Sequence, residues 1–139
     1  RLGQLDGSED YVDLARHPSA KIDRAILVVR PQEPLFFGNA EAIMNEIERA
    51  TSNATRVVVL SLEESYDLDS SAIDVLGETA TRLQARGQHL IFGRLKDPVR
   101  ELLEKAGEPL ASLAIQGQRS VAEAVKAARF FSDPKEPKG

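Results

Sequence analysis

The chain has 139 residues, a length that suits one domain with a conventional hydrophobic core. It contains no cysteine, which excludes structural disulfides, thiol nucleophiles and cysteine-type zinc sites. Its net charge is −4 and its acidic and basic residues are interspersed, so we expect no nucleic-acid partner. The longest apolar run, residues 25–29, is far shorter than the roughly 18 residues that a membrane span requires.

The amino-terminal part of the chain is mostly polar and predicts a short strand near Leu2 to Leu5, followed by a loop. Because the first residue is Arg1 and not methionine, we expect a processed product or a piece of a longer protein. Residues 25–30 then form an apolar run that is typical of a central strand covered on both faces. Pro31 and Pro34 end this strand and predict an extended bridge to the first helix.

The bridge carries two consecutive aromatic residues, Phe36 and Phe37. In an extended segment they point to opposite sides, so we expect one ring in the core and the other as an exposed anchor for another domain. Burial of both rings is the more common arrangement of such a pair. Phe130 and Phe131 are also consecutive, and the same alternatives of burial or exposure apply to them. Asn39 is the expected cap of the following helix, whose buried face is predicted to consist of Ala40, Ile43, Met44 and Ile47.

The motif around which the chain is organised runs from a strand at residues 56–62 into a helix that begins after Asp69. Asp69 is the expected N-cap, because its carboxylate can accept hydrogen bonds from unpaired amides and stabilise the helix by about 1 kcal/mol. Ser70 and Ser71 stand in the first turn, where free amides favour a hydroxyl or a phosphate. Gly87 is predicted to end this helix, and its buried positions are expected to be Ala72, Ile73, Leu76, Ala80 and Leu83.

The segment after Gly87 predicts a strand at His89–Phe92 and then another helix. Asp97 is the expected cap of that helix, Pro98 occupies its first position and Gly107 ends it. Its predicted buried stripe is Val99, Leu102, Leu103 and Ala106.

The carboxyl-terminal part predicts a weak strand at Ala114-Ile115 and a last helix that starts at Ser120. Glu123 completes a capping box with Ser120, and the buried stripe is predicted to be Val121, Ala124, Val125 and Ala128. Residues 132–139 are rich in proline and lysine and predict a disordered tail. The alternation of strands and helices predicts an α/β layer structure with largely parallel strands.

The order of segments also resembles a known family. The segments LFFGNAE, VVVLSL, DLDSSA, HLIFGRL and DPVRELLEKAG, in this order, resemble the STAS domain, which bacterial anti-sigma-factor antagonists share with the cytoplasmic tails of SulP anion permeases. The resemblance covers residues 1–131 as one domain and implies a central mixed, mostly parallel β-sheet with about four α-helices. The arginine and the Leu-Phe-Phe step between residues 26 and 41 resemble the permease branch.

The resemblance to SulP permeases implies a regulatory and protein-interaction role on the cytoplasmic side of the cell membrane. The expected partner is the transmembrane domain of the same chain, and further candidates are a second STAS domain or a cytosolic regulatory protein. The interaction candidates are Phe36, Phe37, Asn39 and Tyr66, and the residues assigned to the loop and the helix cap are Asp67 and Asp69.

The resemblance to antagonists implies an alternative, a stand-alone protein that is switched by phosphorylation. In that branch a serine of the matching motif is the kinase target, which corresponds to Ser71 here, with Ser70 beside it. Phosphate would add about −1.5 to −2 charges close to helix amides and alter a partner interface. The purely structural interpretation of the same residues is that Asp69 caps the helix and that the serines occupy its first turn without a regulatory role.

A nucleotide site and an enzyme are the remaining hypotheses. A helix N-terminus can bind phosphate, so weak nucleotide binding near residues 64–71 is one hypothesis. Negative charge disfavours an anion there, because the region contains Glu63, Glu64, Asp67 and Asp69. A glycine-rich phosphate loop is missing from the sequence, and neither His17 nor His89 has an evident metal partner. We therefore expect no metal, no cofactor and no enzymatic activity.

Overall fold

In a computed structural model of the chain, the described residues are 1–4, 11–14, 16–17, 19–20 and 22–132. These residues form five strands and five helices. The strands are β1 (Leu2–Gln4), β2 (Tyr11–Asp13), β3 (Ile26–Val29), β4 (Val57–Ser61) and β5 (His89–Gly93). The helices are α1 (Ala40–Ala50), α2 (Ser70–Ala85), α3 (Asp97–Lys105), α4 (Leu110–Ile115) and α5 (Val121–Ser132).

Strands β3, β4 and β5 form a parallel three-stranded sheet with β4 in the middle. Strands β1 and β2 form a separate antiparallel pair. The predicted α/β class and mostly parallel arrangement are therefore confirmed, and the antiparallel component belongs to a second small sheet. The prediction of a loop after β1 was wrong at residues 11–13, because a three-residue strand is too short to show a period-two pattern.

The three parallel strands bury side chains on both faces, as their continuous apolar runs predict. Alternate residues contribute to two hydrophobic cores. One face packs against α1, α2, α3 and α4, and the strand residues in that core are Leu27, Val58, Leu60, Leu90 and Phe92. The opposite face packs against α5 and β1, and its strand residues are Ile26, Val28, Val57, Val59 and Ile91. The fold is thus a layered sandwich with β4 completely buried.

Helix α2 begins and ends where the sequence predicts. The carboxylate of Asp69 accepts a hydrogen bond from the Ala72 amide at 2.8 Å, which confirms the N-cap. Gly87 adopts a φ of 76°, and the amide of Gln88 bonds back to the Leu83 carbonyl at 2.9 Å. This left-handed glycine ends the helix in the expected way. The predicted buried positions are confirmed, although Ile73 is only partly buried.

The other helices differ from prediction in three details. The predicted weak strand at Ala114-Ile115 was wrong, because these residues end α4, and Gln118 forms a single bridge beside Gly93 instead. With this short helix, the described residues form five helices, one more than the predicted number of about four. Asp97 is the first residue of α3, whose N-cap is Lys96 without a side-chain capping bond. Ala106 is exposed at the end of α3 and does not belong to its buried stripe.

Helix α5 starts at the predicted capping residue. The Glu123 amide donates to Ser120 Oγ at 3.0 Å, and Ala124, Val125 and Ala128 are buried while Val121 is partly buried. Ser132 is the last residue of α5, and the remainder of the predicted disordered tail, together with Leu5, lies outside the described residues. The domain boundary at residue 131 stays a prediction.

Helices α1 and α2 are joined by an ion-pair network at their carboxyl-terminal halves. Glu48 accepts from Arg82 Nε at 2.9 Å, from Arg82 Nη2 at 3.1 Å and from Arg86 Nη2 at 3.2 Å. The hydrogen bond that Arg82 donates to the Glu48 carboxylate raises the pKa of Arg82 above its ordinary value, despite some desolvation. Both arginines are exposed, so water and salt weaken the network.

We expect Glu48→Ala to lower the free energy of unfolding by about 1 kcal/mol, the upper range for a surface ion pair, because two exposed guanidinium groups share one partly buried carboxylate. Urea denaturation at low and high salt measures this effect, which should shrink at high salt. Glu46→Ala, an exposed change on the same helix, is the control. Equal stability of both variants would show that the network contributes nothing.

Candidate functional site

The candidate residues lie at the carboxyl ends of the parallel strands. Residues 30–39 leave β3, residues 62–69 leave β4 and residues 94–96 leave β5, all from the same edge of the sheet. In α/β proteins this edge is where loops most often form binding sites. The candidate site residues therefore come together at this edge, although up to 35 positions separate them in the chain, as for Phe36 and Ser71.

Both aromatic rings of the bridge point outward. Leu35 is the residue that enters the core, with 2% of its surface exposed, whereas Phe36 is 45% and Phe37 75% exposed. The two rings contact each other edge to face, with centroids 5.7 Å apart. The expectation that one ring fills the core was wrong, because residues 37–39 form a turn and not an extended segment. Phe130 is likewise exposed, and the side chain of Phe131 lies outside the described residues.

Asn39 holds this turn together. Its Oδ1 accepts from the Phe36 amide at 2.9 Å, and its Nδ2 donates to the Pro34 carbonyl at 2.9 Å. Asn39 occupies the N-cap position of α1, but its side chain makes no capping bond to the helix. The predicted capping role is therefore corrected: the side chain of Asn39 fixes the turn that carries the two phenylalanines.

Asp69 connects the aromatic turn to helix α2. One oxygen of its carboxylate, Oδ1, accepts from the Ala72 amide at 2.8 Å, and the other, Oδ2, accepts from the Phe37 amide at 3.0 Å. The helix cap and the position of Phe37 thus depend on the same side chain. Ser70 and Ser71 are both exposed in the first turn next to this link.

The loop after β4 contributes a second link and a third aromatic ring. Ser65 is buried, and its Oγ accepts from the Leu35 amide at 3.1 Å. Tyr66 is 69% exposed, and the Lys96 ammonium lies 4.4 Å from its ring centroid, a favourable cation–π contact. Lys96 also donates to the Glu63 carbonyl, and the Glu63 carboxylate pairs with Arg94 at 3.0 Å.

We call the exposed group formed by these loops the carboxyl-end patch; its members are Phe36, Phe37, Tyr66, Ser70 and Ser71. The structure brings every predicted candidate residue to this edge. Asp67 accepts from the amide of Leu68 at 2.9 Å and so shapes the loop without capping α2. Ser65 and Lys96 were not predicted from the sequence. The signal that could have identified them is their position a few residues after buried parallel strands.

Gly38 lies directly beneath the ring of Phe36. A Cβ at this position would stand 2.6 Å from Phe36 Cε2. We expect Gly38→Ala to push the ring aside and to abolish the nuclear Overhauser contacts between the Phe36 and Phe37 rings. Gly77→Ala is the control, because a Cβ there meets Leu110 at an ordinary 3.6 Å. Retention of the ring contacts in Gly38→Ala would contradict this placement.

Metal binding and membrane spanning are two further possibilities for residues 1–4, 11–14, 16–17, 19–20 and 22–132. Among those residues, His, Asp and Glu side chains form no group of three or more that could hold a metal ion. His17 and His89 are exposed. Of the helices that the structure describes, none is both long enough and apolar enough to span a bilayer.

The fold and this edge define a recognised family: residues 17–124 match the STAS domain model, and the chain belongs to the STAS domain family. A probable sulfate transporter of Mycobacterium tuberculosis is 31% identical over 116 residues, which cover 77% of this chain and 21% of that protein. A probable sulfate transporter of Arabidopsis thaliana is 26% identical over 118 residues, which cover 76% of this chain and 17% of that protein. The chain spans about a fifth of the length of the curated relatives it matches.

Solved structures share the fold. The murine Slc26a9 anion transporter in its inward-facing state gives a TM-score of 0.81 at 17% identity, over 92% of this chain and 21% of that one. The STAS domain of a SulP transporter from Vibrio cholerae gives a TM-score of 0.64 at 23% identity, over 83% of this chain and 89% of that one. The unphosphorylated anti-sigma-factor antagonist SpoIIAA gives a TM-score of 0.59 at 18% identity, over 78% of this chain and 92% of that one.

Proposed function

We propose that the chain is the cytoplasmic STAS domain of a SulP-type sulfate or anion permease and serves as a regulatory and interaction module for the membrane transporter. The observation that carries this proposal is the 31% identity to a probable sulfate transporter. The matching region makes up only 21% of that protein. A region that makes up a fifth of a transporter is best understood as an accessory domain. Transport itself would reside in a membrane domain outside these residues.

The carboxyl-end patch supports the interaction role. Its rings are exposed, yet the turn beneath them is fixed by Asn39 and Asp69, so the phenylalanines are presented in one arrangement. A rigid anchor loses little conformational entropy when it binds, which favours recognition of another protein surface. The proposed mechanism is conformational, because contacts at this edge would bias the states of the membrane domain.

A charge at Ser71 is the expected way to perturb this module. In the full-length protein, we expect Ser71→Glu to change the sulfate uptake rate about fivefold or more, the usual range for coupling between sites, at unchanged surface expression. The added carboxylate would lie in the first turn of α2, beside the Asp69 side chain that holds Phe37. Ser71→Ala, which adds no charge, is the control. Equal uptake and equal partner affinity for Ser71→Glu and the parent would count against a regulatory role.

The second candidate is a stand-alone antagonist that exchanges partners when a kinase phosphorylates Ser71. The observation that favours it is the exposure of Ser70 and Ser71 at the start of α2, where a kinase could reach them. It predicts stoichiometric phosphate on Ser71 and a protein that is not attached to a membrane domain. Phosphopeptide mass spectrometry of the native protein separates the two candidates when it is combined with the size of the chain.

A further inference from the structure

A polar cavity of about 430 Å³ lies between the turn after β2 and the loops that leave β3 and β4. All the side chains that line it are polar, and those of Asp13, Arg16, Arg30, Glu63 and Glu64 carry charge. We call this cavity the charged cleft. Its volume is in the range of small-molecule sites, and a crevice at the carboxyl ends of parallel strands is where α/β sheets bind ligands.

The charged cleft holds opposite charges apart. Arg30 directly follows β3 and Glu64 lies in the loop after β4, and both side chains are half-buried. Within the part of the chain that the structure describes, Arg16 and Arg30 have no carboxylate within ion-pair distance, and Glu64 has no cation within that distance. A half-buried charge has lost part of its hydration, so a counter-charge from a ligand would stabilise it.

The other two carboxylates of the cleft are already engaged. The carboxylate of Glu63 pairs with Arg94 at 3.0 Å, and that of Asp13 accepts from Gln32 Nε2 at 3.4 Å. The charged groups that remain for a ligand are therefore two guanidinium groups and one carboxylate, those of Arg16, Arg30 and Glu64.

Backbone contacts fix the segments that carry these three groups. Arg30 continues a strand of the central sheet, and the Arg16 amide bonds to the Asp13 carbonyl at 3.1 Å. Glu64 precedes the buried Ser65, whose Oγ accepts from the Leu35 amide. Charges on fixed segments need little rearrangement to bind a ligand, which favours affinity.

The mixture of charges selects the ligand class. A simple anion would meet the carboxylates of the cleft, and a simple cation would meet its guanidinium groups. A zwitterion supplies both counter-charges at once. We infer that the charged cleft binds a small zwitterion of the α-amino-acid class, with its carboxylate at Arg16 and Arg30 and its ammonium group at Glu64. The polar lining favours a polar side chain on this ligand.

This inference goes beyond the proposed function, because the site needs no membrane domain and can be tested on the 139-residue chain. The probes are serine, asparagine, glutamine and histidine, each titrated into the ¹⁵N-labelled chain. At least one of them is expected to shift the amide resonances of Arg30, Gln32 and Glu64 in a saturable way. Sodium sulfate and methylammonium chloride, a simple anion and a simple cation, are expected to cause no saturable shifts there.

Two derivatives of the amino acid that binds most tightly test the recognition of each charge. Its carboxamide lacks the carboxylate, and its N-acetyl form lacks the ammonium group. We expect each derivative to bind about tenfold more weakly than the free amino acid, the usual scale for losing a hydrogen bond to a charged group.

Matched variants assign each preference to a side chain. Arg30→Gln is expected to bind the free amino acid about tenfold more weakly and to lose the preference for it over the carboxamide. Glu64→Gln is expected to lose the preference for the free amino acid over the N-acetyl form. Arg49→Gln on α1 and Glu101→Gln on α3 each remove one exposed charge elsewhere and should bind as the parent does.

Four outcomes would overturn the inference: no saturable shift with any of the four amino acids, equal binding of sulfate, unchanged preferences in both cleft variants, or equal loss in the two controls. The amide spectrum of each variant verifies its fold, and the derivatives test the parent chain even if a variant fails to fold. A native protein without a membrane domain would refute the proposed function and leave this inference in place.

Discussion

Leu35→Ala is expected to lower the free energy of unfolding by about 2–4 kcal/mol, the range for truncating a buried leucine that leaves a cavity. Leu35 belongs to the core between the sheet and helices α1 to α4, although it directly precedes the two exposed rings. The hydrogen bond from the Leu35 amide to Ser65 Oγ is retained in the variant, because it does not involve the leucine side chain. The loss of stability therefore measures the packing of that side chain. Urea denaturation measures the effect.

Phe37→Ala is the matched control for Leu35→Ala. It removes a larger side chain from the same loop, but this ring is 75% exposed, so the expected change in unfolding free energy is below about 0.5 kcal/mol. The contrast tests the orientation of the whole loop. A cost for Phe37→Ala that matches or exceeds that of Leu35→Ala would mean that the ring is buried and that the patch does not exist as described.

Asp69→Ala is expected to lower the free energy of unfolding by about 1–2 kcal/mol, because it removes the N-cap of α2 and leaves two amides without their acceptor. It should also release the aromatic turn. The expected signs are a shifted Phe37 amide resonance and faster hydrogen exchange at that amide. Unchanged exchange at Phe37 would refute the link between the turn and the helix.

Asp69→Asn separates the two roles of this carboxylate. Asparagine is as good a cap as aspartate, so most of the stability is expected to remain. Its side chain has one acceptor oxygen in place of two, and its NH2 group would face the second amide donor. Stability near that of the parent together with a perturbed Phe37 amide is the expected result. Loss of stability equal to that of Asp69→Ala would show that the cap needs the negative charge.

The architecture could be predicted because its signals are local. The apolar runs of β3 and β4, the spacing of apolar residues in α2, and the stop at Gly87 each follow from neighbouring residues. Helix α4 was missed because six residues give fewer than two turns, and Ala114-Ile115 alone is compatible with a strand.

The geometry of the site could be predicted only in part. Asp69 and the two serines were identified from the motif itself. The outward direction of Phe36 and Phe37 depends on bonds to Ser65 and Asp69, which lie 30 and 32 positions from their partners Leu35 and Phe37. Contacts over such a separation leave no periodic signal in one sequence, so the turn was expected to be an extended bridge.

The most direct test of the proposed function is the size and partitioning of the native protein, followed with an antibody against this domain in fractionated source cells. We expect the signal in the membrane fraction, resistant to a carbonate wash, on a polypeptide several times larger than 15.2 kDa. A soluble band near 15.2 kDa would contradict the assignment to a permease and would direct the search to a kinase that acts on Ser71.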